Sequence, residues 1–321
     1  MYNAHVPPPL SQAYAECEAL ARSHYENFPV ASWLLPRPMR PHVAALYAFA
    51  RVADDIADEG QAPAAERQHG LSAWQRRLHE AVAIAEPGSV EGVGKGHAGH
   101  RDRIDRTDKN DYRGYRGDLI LTAIAHSIRT LDLPLRLFDD LVSAFGQDTM
   151  THRYASWAEV LDYCRRSANP VGRLVLRIAG HRDDALDRSS DALCTALQLT
   201  NFWQDFGRDW RAGRLYVPRE AHVGQADEAD LVRGAVSDGW ARAIERCVEV
   251  TRALFRDGRT VCDGVGGRLR AELRFTWLGG MRVLERVERN RWSLFEHRPT
   301  LGPSDLPVLL WRAAWWKPAR L

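Results

Sequence analysis

Apolar residues recur at helical spacing along most of the chain, and this pattern predicts a protein built almost entirely from α-helices. Positions three and four apart share one face of a helix, and long stretches keep that spacing between breaks rich in proline and glycine. Short runs that alternate apolar and polar residues between turn signals are not found in any number, so a β-sheet is not expected. The predicted helices cover residues 12–23, 41–60, 64–85, 119–131, 135–145, 157–180, 183–209, 228–262 and 266–293.

Residues 86–117 depart from the helical pattern. Gly, Asp, Arg, Lys and His dominate this stretch, and few of its side chains are apolar. Such a composition buries too little apolar surface to order by itself, so it predicts a long polar loop that is a candidate for mobility. We therefore expect one domain over residues 1–321, interrupted by this insertion. An insertion without a role and a loop that orders on binding both fit the sequence.

A polar stripe on an otherwise apolar helix is the first sign of chemistry. Within the run YAFARVADDIADE, residues three and four apart form one face that comprises Tyr47, Arg51, either Asp54 or Asp55, and Asp58. Like charges at this spacing repel one another, so a cation among them would stabilise the helix. Carboxylate oxygens suit Mg²⁺, which takes one or two carboxylates together with substrate phosphates. A solvated acidic helix end is the alternative interpretation.

A second stripe of the same kind lies far downstream and favours a binding site over a solvated helix end. Asn201, Asp205 and Asp209 are each four residues apart, and Gln198 extends the same face by one turn. Both stripes follow apolar sequence. Two such faces on separate helices can hold one metal–diphosphate cluster between them.

Composition narrows the class of protein further. The 321 residues are 45% hydrophobic, which supports a sizeable core, and the formal net charge of +2 argues against a nucleic-acid partner. The five cysteines form no C-x-x-C pair, which indicates free thiols in a reducing, cytoplasmic compartment. The sequence shows no signal-peptide pattern and no run of about 18 apolar residues, so no membrane span is expected. No glycine-rich nucleotide loop follows a strand.

The last part of the chain, residues 306–317, is aromatic and basic. Interfacial helices place tryptophan beside Lys and Arg in this way, so peripheral contact with the inner face of a membrane is one expectation. Packing of the same tryptophans against the domain is the other.

Three phrases of the chain together resemble the squalene/phytoene synthase family. They are Y-x-x-x-R-x-x-D-D-x-x-D from Tyr47, Y-C-x-x-x-A-x-x-V-G from Tyr163, and Q-x-x-N-x-x-x-D-x-x-x-D-x-x-x-x-R-x-Y-x-P from Gln198. Their order and spacing hold from about residue 24 to 218. The shorter phrases N-F-P-V-A-S, R-P-H-V-A-A, S-A-N-P-V-G and N-F-W-Q-D resemble the hydroxysqualene synthase (HpnC-type) branch, which belongs to bacterial hopanoid biosynthesis.

The resemblance implies an all-α, isoprenoid-synthase-type helical bundle with a central active-site cavity. The Mg²⁺ ligands that it implies are Asp54, Asp58, Asp205 and Asp209. Residues that it places on the diphosphate side of the cavity are Arg51, Tyr47, Gln198 and Asn201. Arg214 and Tyr216 match a family loop, and they would either contact diphosphate or only close the domain.

The resemblance also implies residues for the prenyl chain and the reacting carbon. Tyr163 matches the active-site tyrosine of the family and would orient either the attacking water or the diphosphate. The positions that let a prenyl chain approach the helix match Ala168, Val171 and Gly172. Aromatic side chains that would stabilise a cation, or pack in the core, are Phe28, Phe202 and Trp203.

For the branch, the implied reaction converts presqualene diphosphate into hydroxysqualene and diphosphate. The cation left by diphosphate rearranges and water captures it as an alcohol, so no reductant, nicotinamide or flavin is expected. Condensing relatives usually carry Arg where this chain has Gln204, and loss of that charge suits a substrate with one diphosphate. Other enzymes of squalene and hopanoid synthesis are the protein partners that the resemblance suggests.

Two alternatives stay open. The chain could join two farnesyl or geranylgeranyl diphosphates head to head, as a squalene or phytoene synthase does. A more remote alternative is a non-catalytic relative that acts as an assembly factor, although both aspartate motifs are intact. A carboxylate-bridged di-iron bundle is excluded because it needs two Glu-x-x-His pairs and the chain has one, at Glu66.

Overall fold

The computed structural model of the chain describes residues 9–23, 34–58, 62–84 and 114–317. Within these ranges the regular structure is helical, apart from one isolated bridge between Arg153 and Leu215. The α-helices are α1 (Leu10–Ser23), α2 (Arg40–Asp58), α3 (Ala64–Ala83), α4 (Tyr115–Leu131), α5 (Leu135–Asp148), α6 (Trp157–Ser167), α7 (Asn169–Ile178), α8 (Asp184–Gln204), α9 (Phe206–Arg211), α10 (Arg219–His222), α11 (Glu228–Val232), α12 (Asp238–Asp257), α13 (Val261–Gly264), α14 (Gly267–Arg289) and α15 (Leu306–Ala314).

Two helices, α2 and α8, lie at the centre of the packing. Helix α2 contacts α1, α3, α4, α5 and α7, whereas α8 contacts α6, α7, α12 and α14. The largest fully buried side chains are aromatic, among them Phe49 on α2 and Trp203 on α8. Buried apolar residues from α1 to beyond α14 form one contiguous cluster. Both aspartate stripes therefore lie on helices that the core holds firmly, whereas the assignment of one domain to residues 1–321 stays a prediction.

The helix predictions are confirmed in type and corrected at several boundaries. The predicted helix over 157–180 bends at Ala168, where α6 ends and α7 begins with Pro170 near its start. The predicted helix over 228–262 is wrong as a single helix because the chain turns at Gly234, whose φ of 70° favours glycine. Helix α4 begins at Tyr115, so residues 115–117 are helical and not part of a loop as predicted, and residues 85–113 lie outside the described ranges.

None of the described helices combines the length and the apolar character that crossing a bilayer requires.

Candidate active site

The structure decides which aspartates of the first stripe face outward from α2. Asp55 is 5% exposed and pairs with Arg51, whose Nη2 lies 2.5 Å from Asp55 Oδ1. The other amino group of Arg51, Nη1, lies 3.3 Å from Asp54 Oδ2. Asp54 and Asp58 are left on the accessible side of the helix, one turn apart. Asp54 is therefore the member of the Asp54–Asp55 pair that belongs to the candidate site.

The second stripe keeps its spacing although its helix is interrupted. Helix α8 ends at Gln204 and α9 starts at Phe206, so Asp205 lies at the joint. The backbone N–H of Asp205 donates to Asn201 O at 2.9 Å, and that of Asp209 donates to Asp205 O at 2.8 Å. These bonds preserve the one-turn separation of the stripe. The prediction of one continuous helix is wrong here, and the predicted spacing is confirmed.

Arg214 joins the two stripes. Its Nη1 lies 3.3 Å from Asp58 Oδ1 on α2, and its Nη2 lies 3.7 Å from Asp209 Oδ1 on α9. Both stripes thus face one guanidinium group, although they are far apart in sequence. The contact brings together the two acidic faces that the sequence analysis predicts to face one another.

The extended segment 214–217 places the side chains of Arg214 and Tyr216 on the side that faces the aspartates. Side chains alternate between the two sides of an extended chain, and Leu215 is held by its bridge to Arg153. Leu215 and Val217 accordingly line a cleft of about 820 Å³ that contains no aspartate of either stripe. Arg214 and Tyr216 lie on the opposite side, towards Asp58 and Asp209.

Arg298 is a site residue that the sequence analysis missed. Its Nε lies 2.5 Å from Asp205 Oδ1 and its Nη2 lies 3.0 Å from Asp205 Oδ2, a bidentate pair. The segment that carries Arg298 is not helical and contains no motif, so no sequence signal pointed to it. Gln204 is buried and donates to Pro299 O at 2.5 Å. Arg298 thus places a cation beside Asp205 in this chain, and the inference from Gln204 to a substrate with one diphosphate stays a prediction.

Tyr163 lies in a buried cluster of rings next to the stripes. Its hydroxyl donates to Asp148 Oδ2 at 2.7 Å, and its ring lies 6.3 Å from that of Tyr216 and 5.8 Å from that of Phe202. Phe202 and Tyr216 stack at 3.7 Å with an angle of 6° between their planes. Tyr154 packs against the same cluster. Four aromatic rings thus pack together close to the aspartates.

Asp148 is the second residue that the sequence analysis missed, because a lone aspartate at a helix end carries no spacing signal. Burial, and to a smaller extent the negative charge of Asp58, raises the pKa of its carboxyl to about 7, although the hydrogen bond from Tyr163 lowers it. Among the described residues, Asp148 Oδ1 has no hydrogen-bond partner. An acceptor atom is therefore available beside the ring cluster.

Two aspartates of the stripes, Asp54 and Asp209, also have raised pKa values. Burial and the neighbouring carboxylate of Asp58 raise the pKa of Asp54 to about 6. Burial also raises the pKa of Asp209 to about 7, where Arg214 opposes the shift and Asp205 adds to it. The raised pKa values mean that the ionised forms of these two carboxyls are unfavourable in the metal-free site, chiefly because the groups are buried.

The other predicted site residues fall into three groups. Tyr47 is half-buried beside Arg51, and both lie on the α2 face that carries Asp54. Gln198 and Asn201 lie on α8, one to two turns before Asp205. Phe28 lies outside the described residues.

The three residues expected to line the prenyl chain lie at or just after the bend between α6 and α7, and their role there stays a prediction. A Cβ on Gly172 would lie 2.4 Å from Ser190 Oγ and 2.5 Å from Cys194 Sγ, so this glycine makes room for α8. Val171 is 38% exposed, and Ala168 is half-buried at the bend. Trp203 is fully buried and donates to Thr251 Oγ1 at 2.8 Å, which makes it a core residue. Of the described aromatic candidates, Phe202 is the one that joins the ring cluster.

The donor set fits a hard cation that arrives with phosphate. In the part of the chain that the structure describes, no three His, Cys, Asp or Glu side chains gather closely enough to hold a metal ion by themselves. Mg²⁺ needs no such cage, because it uses one or two carboxylates and fills its remaining positions with water and substrate phosphate. The residues that would hold it are Asp54, Asp58, Asp205 and Asp209.

We expect Gly207→Ala to lower the free energy of unfolding, because the added Cβ would collide with the segment that carries Arg298. A Cβ at this position on α9 would lie 2.7 Å from Leu294 O and 2.8 Å from Phe295 Cα, which are backbone atoms of the segment that delivers Arg298. Overpacking of this kind costs about 1–3 kcal/mol of unfolding free energy. Urea denaturation measures the loss. Gly266→Ala is the matched control, since nothing lies within 4 Å of that Cβ, and equal stability of both variants would contradict the prediction.

The raised pKa of Asp148 predicts how the stability of the metal-free protein depends on pH. Between about pH 4 and 7 the folded state keeps a proton that the unfolded state has lost, so the free energy of unfolding falls as pH rises and levels off above about pH 7. We expect Asp148→Asn to match the wild type near pH 4. At pH 8 it should be more stable by on the order of 2 kcal/mol. Denaturant titrations with a chelator measure both curves, and parallel curves would refute the effect.

Known proteins are similar to this chain in sequence. The squalene/phytoene synthase family matches residues 21–305. The hydroxysqualene synthase of Zymomonas mobilis is 36% identical, over 72% of this chain and 68% of that protein. The 15-cis-phytoene synthase of Synechococcus elongatus is 25% identical, over 95% of this chain and 94% of that protein.

A solved structure agrees with both the sequence match and the fold. The squalene synthase HpnC from Alicyclobacillus acidocaldarius superposes with a TM-score of 0.73 and 36% identity, covering 89% of this chain and 96% of that one. The helical bundle described above is therefore the isoprenoid-synthase fold that the resemblance implies. With its two acidic faces meeting at Arg214 and its match over residues 21–305, this chain is an enzyme of the squalene/phytoene synthase family.

Proposed function

We propose that the enzyme converts presqualene diphosphate and water into hydroxysqualene and diphosphate, with Mg²⁺ as its metal. The observation that carries the proposal is the placement of Arg214 between Asp58 and Asp209, which brings charged groups of two helices together. The 36% identity to a hydroxysqualene synthase supports this product over the others made in the family. When bound, Mg²⁺ supplies charge neutralisation for the leaving diphosphate.

The charged residues of the chain bind and orient the diphosphate. Arg214 and Arg51 place guanidinium groups beside the aspartates, where they stabilise negative charge that builds on the leaving oxygen. Arg298 holds Asp205 through two hydrogen bonds, which fixes the orientation of that carboxylate. Because the pKa values of Asp54 and Asp209 are raised, their ionised forms are unfavourable in the metal-free protein. A bound cation would stabilise those ionised forms.

The second part of the proposal is that the ring cluster stabilises the carbocation and shields it from bulk water. Tyr163, Phe202, Tyr216 and Tyr154 are buried, so they exclude bulk water, and the ring faces that are not stacked on one another would stabilise a cation. Such contacts stabilise a cation by about 0.5–2 kcal/mol each. One water must reach the rearranged cation, and its oxygen forms the new C–O bond of the alcohol.

Asp148 accepts the proton that the captured water releases. Its Oδ1 has no partner among the described residues, whereas Oδ2 is held by the hydroxyl of Tyr163. A carboxyl with a pKa of about 7 is about half ionised at neutral pH and retains a proton that it takes, which suits a general base. Tyr163 therefore positions Asp148, and Asp148 orients the water.

A product assay tests the proposal directly. Purified protein with Mg²⁺ is incubated with presqualene diphosphate in ¹⁸O-labelled water, and the lipid products are identified by mass spectrometry. We expect hydroxysqualene that carries one ¹⁸O atom, and we expect a chelator to abolish its formation. A parallel reaction with farnesyl diphosphate tests the condensing alternative. Formation of presqualene diphosphate or a hydrocarbon there, with no alcohol from presqualene diphosphate, would overturn the proposal.

A further inference from the structure

The C-terminal helix α15 presents an uncharged apolar face to solvent. Leu310 is 51% exposed, Trp311 64% and Trp315 69%. Residues four apart in a helix share one side, and the exposed positions fall into two adjacent rows of this spacing, which together form one continuous strip. We name this strip the α15 stripe; its members are Leu306, Pro307, Leu310, Trp311, Ala314 and Trp315.

The opposite side of the helix is anchored to the domain. Leu309 is buried, and Arg312 pairs with Glu285 on α14 at 2.9 Å. Just beyond the helix, Trp316 donates to Asp263 Oδ1 at 3.0 Å and its ring packs against Trp277. The neighbouring Trp315 has no such role and stays exposed. The anchoring fixes the direction in which the α15 stripe points, so its exposure is a property of the folded domain.

Charged groups next to the α15 stripe leave an excess of positive charge. The helix itself contains no acidic residue. The carboxylate of Asp305, which is 1% exposed, lies between Arg282 and Arg286. Glu285 likewise forms ion pairs with three arginines, Arg282, Arg289 and Arg312. With Lys317 exposed at the end of the helix, this part of the surface complements a negatively charged one.

A second copy of the chain is a poor occupant for the α15 stripe. The helix has nine residues, so at 1.5 Å per residue and a width of about 10 Å its face covers on the order of 150 Å². A stable protein–protein interface needs about 800 Å² from each partner. A lipid surface has no such requirement, because a short helix with aromatic residues and flanking cations can lie in the interface.

We propose that the α15 stripe docks the enzyme in the plane of a bilayer that contains anionic lipid. Trp311 and Trp315 would lie at the level of the headgroups, where tryptophan is favoured, and the two leucines would lie on the acyl side. The chain runs from Arg298, which holds Asp205, through the exposed Leu301 into α15. The docking surface is therefore close in sequence to the active site, which under the proposed function takes a lipid substrate and releases a lipid product.

Vesicle flotation tests this proposal without substrate, so its outcome is independent of the proposed function. The full-length protein is mixed with vesicles of phosphatidylcholine alone, or of phosphatidylcholine with phosphatidylglycerol. We expect the wild type to float with the anionic vesicles, more weakly with the neutral ones, and less as salt rises. Trp311→Ser/Trp315→Ser should reduce the partition coefficient at least about tenfold.

A matched control separates the α15 stripe from general surface hydrophobicity. Val223→Ser/Val232→Ser removes two exposed apolar side chains, 55% and 76% exposed, around α10 and α11, and we expect it to bind vesicles as the wild type does. Circular dichroism verifies that each variant is folded. Failure of the wild type to float, or equal flotation of the tryptophan variant, would overturn the proposal. A dimer in sedimentation velocity that the tryptophan variant abolishes would assign the stripe to a second copy instead.

Discussion

Asp54→Asn and Asp205→Asn are each expected to lower turnover of presqualene diphosphate by about 10³-fold or more. Each change removes a carboxylate from a different acidic face, and a bound metal stabilises transition-state charge by several kcal/mol. Since 1.36 kcal/mol corresponds to a factor of ten, loss of most of that stabilisation gives this magnitude. Measured kcat at saturating substrate and Mg²⁺ checks the expectation.

Stability measurements separate this loss of activity from unfolding. The pKa of Asp54 is raised to about 6 by burial and by Asp58, so the ionised carboxylate is unfavourable in the metal-free fold. Asp54→Asn should therefore be at least as stable as the wild type at pH 8. Asp162→Asn, which changes a half-exposed aspartate in a surface ion pair with Arg166, is the control and should keep full activity. Near-normal rates for Asp54→Asn or Asp205→Asn would count against a metal–diphosphate site at these faces.

Arg214→Gln is expected to lower kcat by about 10²- to 10³-fold, the usual cost of removing one donor to developing negative charge. Arg214 is the residue through which the two acidic faces meet, so its loss also leaves Asp58 and Asp209 without the guanidinium between them. Arg214→Lys should recover part of the rate because it keeps the charge and loses the planar fork. Steady-state kinetics of the two variants, with kcat and KM measured separately, provide the test.

The same variants decide between the two roles that the sequence left open for Arg214. If this residue only closes the domain, Arg214→Gln should lower the melting temperature while the folded fraction keeps its kcat. If it binds diphosphate, kcat falls in protein that is fully folded. Arg208→Gln is the matched control, since Arg208 is 67% exposed and 3.6 Å from Asp205. A loss with Arg208→Gln as large as that with Arg214→Gln would mean that general positive charge, and not the bridging position, matters.

The sequence predicted much of the site because its strongest signals are local. Residues four apart in a helix share a face whatever the helix packs against, so the stripes of Asp54 with Asp58 and of Asp205 with Asp209 were readable from spacing alone. The interruption between α8 and α9 could not be predicted from the spacing of the stripe. Backbone hydrogen bonds continue through Asp205 and keep that spacing the same as in an unbroken helix. The interruption changes the geometry of the helix without changing the spacing of the stripe.

Residues that join the site from other parts of the chain could not be predicted in this way. Asp148 and Arg298 have no spacing relation to either stripe, and only the packing of distant segments brings them to Tyr163 and Asp205. Gln204 suggested a missing charge when considered alone. In the folded chain its amide donates a hydrogen bond to the backbone, and Arg298 places a cation beside Asp205.

By itself, the sequence determined the all-helical class, the two acidic faces and the family, because helical periodicity and motif spacing are properties of neighbouring residues. Tertiary structure alone decided that Asp54 and not Asp55 faces the site, that Arg214 lies between the faces, and that Trp316 packs inward while Trp315 stays exposed. Each of these choices depends on which side of an element the rest of the domain covers. That is fixed by contacts between residues far apart along the chain.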